Sequence, residues 1–178
     1  NKIVEFWKHF KEIKLTHSID STYDIQLYQR PGNYKWQDIE DTLDYYFSLH
    51  NVNISHTISS VVTPITIMKL KELFSWVNNK FIDKNVFISL NTTIRPYWSN
   101  IQNLDEQMKN SANKLLDTLI EKGVYDYGSL DRVKTHLNRE PIKDTINLDN
   151  IFNDHKVKTI TNYYSHNRIE EKIRELYR

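Results

Sequence analysis

Three short stretches of the chain alternate apolar and polar residues. They are Leu15-Thr16-His17-Ser18-Ile19-Asp20, Val52-Asn53-Ile54-Ser55-His56-Thr57-Ile58-Ser59 and Val86-Phe87-Ile88-Ser89-Leu90-Asn91. Successive side chains of a strand point to opposite faces, so each stretch predicts a strand with one aliphatic face and one face of Ser, Thr, Asn or Asp. Around them the period changes to that of a helix. Ile3, Phe6, Trp7 and Phe10 predict an amphipathic helix over residues 2–10, and Trp36, Ile39, Leu43, Tyr46 and Phe47 a second that ends near His50 and Asn51. A third carries Ile67, Leu70, Leu73, Phe74 and Val77, with Pro64 in its first turn, where a missing N–H costs little.

The segment after Asp20 reads as irregular and ends in the turn signal Arg30-Pro31-Gly32-Asn33. Residues 92–103 read as a loop that holds Arg95-Pro96-Tyr97-Trp98. A long helix follows from about Leu104 to Lys122, closed by Gly123 as its C-cap. Leu130, Val133 and Leu137 predict another helix before Pro141, and residues 160–177 keep a helical period. Strands joined through helices form a parallel sheet, so the chain is expected to be α/β, either an open sheet or part of a barrel. Parallel sheets normally bury apolar residues on both faces, and here one face is polar.

Composition narrows the chemistry. The 178 residues are enough for one domain with a core of its own, and the net charge of +1 is mixed along the chain. No dense basic patch marks a nucleic-acid surface. No apolar run approaches the roughly 20 residues that cross a bilayer, and no leader pattern is visible, so the expected location is cytoplasmic, with no membrane or nucleic-acid partner. The chain has no cysteine, hence no disulfide, thiolate zinc site or iron–sulfur cluster of its own. With three glycines it carries no Gly-rich phosphate loop. Asn1 falls inside a predicted helix, which suggests a piece of a longer protein.

Ligands of parallel α/β folds bind at the carboxyl ends of the strands. Those ends carry Ser18 and Asp20, Thr57 and Ser59, and Ser89 and Asn91. Such hydroxyl, amide and carboxylate groups suit the hydroxyls, carboxylate or amine of a small ligand. They suit equally an exposed sheet face or strand-end caps. Arg30, just beyond the first strand, has the fork to hold a carboxylate or lies on the surface, and Arg95 carries the same ambiguity. Asp20 reads otherwise as a cap of the loop after its strand. His17 and His56 fall on aliphatic faces and are expected in the core. No HxxxH or HExxH spacing and no nucleophilic triad occurs, so the catalytic residues stay unassigned.

The same residues resemble a family. Phe10 to Asp20 resembles the fourth-strand region of radical SAM proteins, where the strand ends in Ser-x-Asp-Gly. Tyr28-Gln29-Arg30-Pro31-Gly32 with Trp36 resembles the EYIR-x-G-x-x-W stretch of the twitch/SPASM-type group in bacteria and phages. His56-Thr57-Ile58-Ser59-Ser60 is similar to its TVS fifth strand, and Arg95-Pro96-Tyr97-Trp98-Ser99 to the R-P-E-Y-L-S loop after the sixth. The match spans about residues 3–120. Ser21 replaces the usual Gly, Gln26 stands near the family's Glu, the turn after Arg30 is one residue longer, and the CxxxCxxC loop is absent.

The resemblance implies the C-terminal portion of a partial (β/α) barrel over residues 1–122, with a helical C-terminal extension over 123–178. It implies S-adenosyl-L-methionine as cofactor and a [4Fe–4S] cluster bound outside this chain, in the full-length protein only. That protein would take electrons from a donor and form a 5′-deoxyadenosyl radical that abstracts hydrogen from a substrate, a peptide or protein among the candidates. By the family pattern Ser18 and Asp20 close the cofactor-binding strand. Ser18 contacts the methionyl or ribose part, Arg30 pairs with the carboxylate, and Thr57, Ser59 and Asn91 line the ribose or substrate region. The chain alone would not be competent as an enzyme. The alternative is a non-catalytic α/β binding or protein-interaction module that uses the same cleft.

Overall fold

The computed structural model describes residues 2–30, 32–82, 84–94, 99–123, 127–142, 148–149 and 166–178. Their order is α1 (Lys2–Trp7), β1 (Ile13–Ser18), α2 (Tyr23–Gln29), α3 (Trp36–Phe47), β2 (Ile54–Val62), α4 (Leu70–Lys80), β3 (Val86–Thr92), α5 (Glu106–Glu121), α6 (Tyr127–Leu137) and α7 (His166–Leu176). Short 3-10 turns at Ile67–Lys69 and Ile101–Asn103 lead into α4 and α5. The chain is thus α/β, with an open three-stranded parallel sheet in the order β1-β2-β3. No helix of the described residues is long and apolar enough to cross a membrane.

The alternating pattern decides which way the sheet faces. Leu15 pairs with His56, and Ile58 with both His17 and Ile88, so the apolar positions of the three strands share one face. Helices α3 and α4 cover the middle of that face. Trp36, Leu43 and Phe47 of α3 and Leu73, Trp76 and Val77 of α4 close over Ile19 and Ile58. Toward the carboxyl ends a second cluster joins Val62 and Leu90 to residues of α2, α5, α6 and α7, including Ile25, Leu116, Val133 and Ile173. The helical extension expected beyond residue 122 therefore shares its core with the strands. Tyr177, just past α7, is buried and donates its hydroxyl to the Pro64 carbonyl.

Several elements differ from the expectation. Residues 23–29 form α2 rather than an irregular segment. Four consecutive residues of it, Ile25 to Tyr28, are buried, so no polar face leaves a periodic trace. Pro64 opens a turn, not the helix, and side-chain bonds between Thr63 and Thr66 hold it. Helix α1 is shorter than predicted, and its inward residue is Val4, while Ile3, Phe6 and Phe10 face outward. Asp105 rather than Leu104 begins α5, its carboxylate accepting the Met108 N–H at 2.8 Å. Gly123 ends the α5 region with φ of 64°, as a C-cap glycine should.

Candidate functional site

The other face of the sheet carries the polar set, and none of its residues is buried. Strand register aligns Ser18, Ser59 and Ser89 into a row of hydroxyls across all three strands. Thr16, Thr57 and Phe87 form the row nearer the amino ends, and the Phe87 side is 60% exposed. Val61 and Asn91 pair above the serines. Asn91 Nδ2 donates to Ser59 Oγ at 3.1 Å, which links β3 to β2 through side chains. Because β2 runs on to Val62, Thr57 and Ser59 lie inside the strand rather than at its end; Ser18 does close β1.

Asp20 does not stand beside Ser18 on this face. The chain leaves the sheet after Ser18, and Asp20 turns inward until it is 3% exposed. Its Oδ1 accepts the Val61 N–H at 2.8 Å, the place in the ladder that a further β1 carbonyl would fill. Arg30 answers the buried charge, with Nε to Oδ2 at 2.6 Å and Nη2 to Oδ1 at 3.2 Å. The hydrogen bond to Asp20 in turn raises the Arg30 pKa further above its ordinary value. Gln26 Oε1 accepts the Asp20 and Ser21 N–H groups at 2.7 and 3.1 Å, and Ser60 Oγ donates to the Asp20 carbonyl at 3.1 Å. The strand end is thus clasped from α2, from Arg30 and from β2. Arg30 has one edge of its guanidinium on Asp20, so a ligand carboxylate would meet only the remaining N–H groups.

His17 and His56 lie on the covered face, as their positions predict. His17 Nε2 and His56 Nδ1 are 3.0 Å apart, and the His56 ring stacks on Phe47 with centroids 3.9 Å apart. Burial, then the nearby His17 and Lys84, pushes the His56 pKa down to about 4, and burial lowers that of His17.

Gln26, which the sequence brings in only beside the family's Glu, and Tyr34 are further parts of the clasp. Gln26 lies in the segment without a period, and only its main-chain partners give it a role. Tyr34 donates its hydroxyl to the Arg30 carbonyl, and Gly32 lets it, because a Cβ there would meet the Tyr34 ring. That glycine was the available signal. The Arg95-Pro96-Tyr97-Trp98 loop lies outside the described residues. Among the described residues no group of three His, Asp or Glu side chains is placed to hold a metal, and the chain supplies no thiolate. Comparison with protein-family models, curated proteins and solved structures finds no significant match to this chain.

Proposed function

We propose that this chain is the S-adenosylmethionine- and substrate-binding portion of a radical SAM enzyme, with its sheet forming part of a (β/α) barrel. The observation that supports this reading most is the polar face, none of whose described strand residues is buried. An all-parallel sheet is normally packed on both sides, and this one presents aligned hydroxyls where a barrel would have its lumen. The second support is the order of the motifs around Ser18, Arg30, Thr57 and Ser59 along the sequence.

In this reading Ser18 and Ser59 hold the hydroxyls and methionyl part of S-adenosylmethionine, with Thr57 and Asn91 lining the region of ribose and substrate. Asp20 and Arg30 act as positioning residues, because they fix the strand end that carries Ser18. These residues would hold S-adenosylmethionine, which would supply the hydrogen-abstraction chemistry with an electron from a cluster held on another polypeptide segment. The residues here do not fit the cluster itself, since thiolates are its usual ligands and the chain has none.

Calorimetric titration with S-adenosylmethionine tests the assignment. Binding is expected to be weak without the cluster, and a Ser18→Ala/Ser59→Ala double variant should weaken it by about tenfold, two lost hydrogen bonds of roughly 0.5–1.5 kcal/mol each. Equal binding by the double variant removes these residues from the site. Capture of a partner protein with no response to S-adenosylmethionine favours the non-catalytic interaction module.

A further inference from the structure

We infer that a cavity against the carboxyl end of β1 recognises a free apolar α-amino acid. The cavity measures about 330 Å³, and Ile19, Ile39 and Leu43 form its apolar side. Small-ligand pockets run from roughly 300 to 1,000 Å³, so it suits a compact ligand. Gln26, Arg30 and Asp38 line it as well.

Gln26 carries the inference. It is 2% exposed, and its Oε1 is committed to the main-chain N–H groups of Asp20 and Ser21. Two donors on one atom fix which end of the amide is oxygen, leaving Nε2 as the group available to a ligand. Among the described residues Nε2 has no hydrogen-bond partner, and Gln26 lines the cavity. Arg30 has placed Nε and Nη2 on Asp20 and retains N–H groups on Nη1. Asp38 is exposed at the start of α3. Its Oδ2 accepts the Lys35 N–H at 2.6 Å, and its other oxygen remains as an acceptor.

Unsatisfied donors, an acidic oxygen and a hydrocarbon wall together complement a zwitterion. The ligand carboxylate meets Gln26 Nε2 and Arg30, its ammonium meets Asp38, and its side chain lies on Ile19, Ile39 and Leu43. A plain carboxylic acid would leave Asp38 unanswered and be repelled by it. A plain amine would leave Gln26 without an acceptor. A side chain of leucine or methionine size matches the volume. Ser18 and Arg30, which also serve the S-adenosylmethionine reading, line this cavity too, whereas Gln26 and Asp38 belong to the amino-acid site alone, so their variants tell the two apart.

The test is titration of the 178-residue chain, labelled with ¹⁵N in its glutamine side chains, with L-leucine, 3-methylbutanoate and 3-methylbutylamine. L-leucine should shift the Gln26 side-chain amide resonance saturably and bind about tenfold or more tightly than either singly charged analogue, the value of one charge-assisted hydrogen bond. Gln26→Glu keeps an acceptor for the Asp20 and Ser21 N–H groups but replaces the donor with a carboxylate oxygen. It should weaken leucine binding by about tenfold or more, with Asp38→Asn acting in the same direction. An unmoved Gln26 resonance, or equal binding of the three probes, overturns the proposal. Should Gln26→Glu fail to fold, the wild-type resonance and the order of the probes still decide it. S-adenosylmethionine binding by the Gln26→Glu and Asp38→Asn variants, expected unchanged, reports on the open face separately.

Discussion

His56 sits at the junction of β2 and α3, stacked between His17 and Phe47. It is 6% exposed, and among the described residues no acid stands beside its protonated form to offset the loss of water. Its pKa falls from 6.5 to about 4 on folding, so between those values the unfolded chain binds more protons than the folded one. Stability is then fully present above pH 6.5 and lost as pH falls toward 4. Chemical denaturation across this range should show the wild type losing about 2 kcal/mol more than a His56→Gln variant, whose neutral amide has nothing to titrate. Parallel acid limbs for the two proteins would rule the residue out as the source. The packed place of both histidines was legible from strand parity. The burial of Asp20 was not, because alternation assigns a face only while the strand continues, and β1 stops at Ser18.

At the scale of elements, the strands and the long helices followed the hydrophobic period closely, and the ends and the fully buried pieces did not. Ser59 moved from a strand end to a strand interior when β2 proved to extend to Val62. Helix α2 was hidden because its neighbours surround it, and no exposed polar stripe remains to mark its period. It begins at Tyr23, a non-glycine residue with φ of 49° whose ring lies tilted against Trp36 with centroids 5.2 Å apart. Gly123 is the better-behaved case, since its φ of 64° falls where glycine is at no disadvantage. Gly123→Ala should cost about 1 kcal/mol of stability in urea unfolding, and Gly123→Asn distinctly less, because Asn tolerates the left-handed region. A neutral Gly123→Ala would mean that the turn relaxes to another conformation.

For the whole molecule, the decisive feature is a core shared by distant parts of the chain. Ile173 and Tyr177 pack in one cluster with Val62, Leu90 and Leu116, and Tyr177 reaches back to Pro64. Removing residues 166–178 opens that core, so the shortened chain should unfold at markedly lower denaturant concentration or fail to fold. In the full chain, fluorescence and circular dichroism should report one coincident transition. Non-coincident transitions, or a shortened chain of unchanged midpoint, would show that α7 is an independent attachment.

By itself the sequence determined three parallel strands, each with an aliphatic and a polar face, and the amphipathic helices α3 and α4 between them. Those features follow from periodicity within short windows, where side-chain direction is fixed by the backbone. Tertiary structure decided that α3 and α4 pack on the apolar face and that no strand residue of the hydroxyl rows is buried. It also decided that Asp20 and Arg30 clasp a strand end, and that Gln26 lies buried with a donor to spare. These depend on which residues meet across 5 to 41 positions of chain, and on water being excluded where they meet.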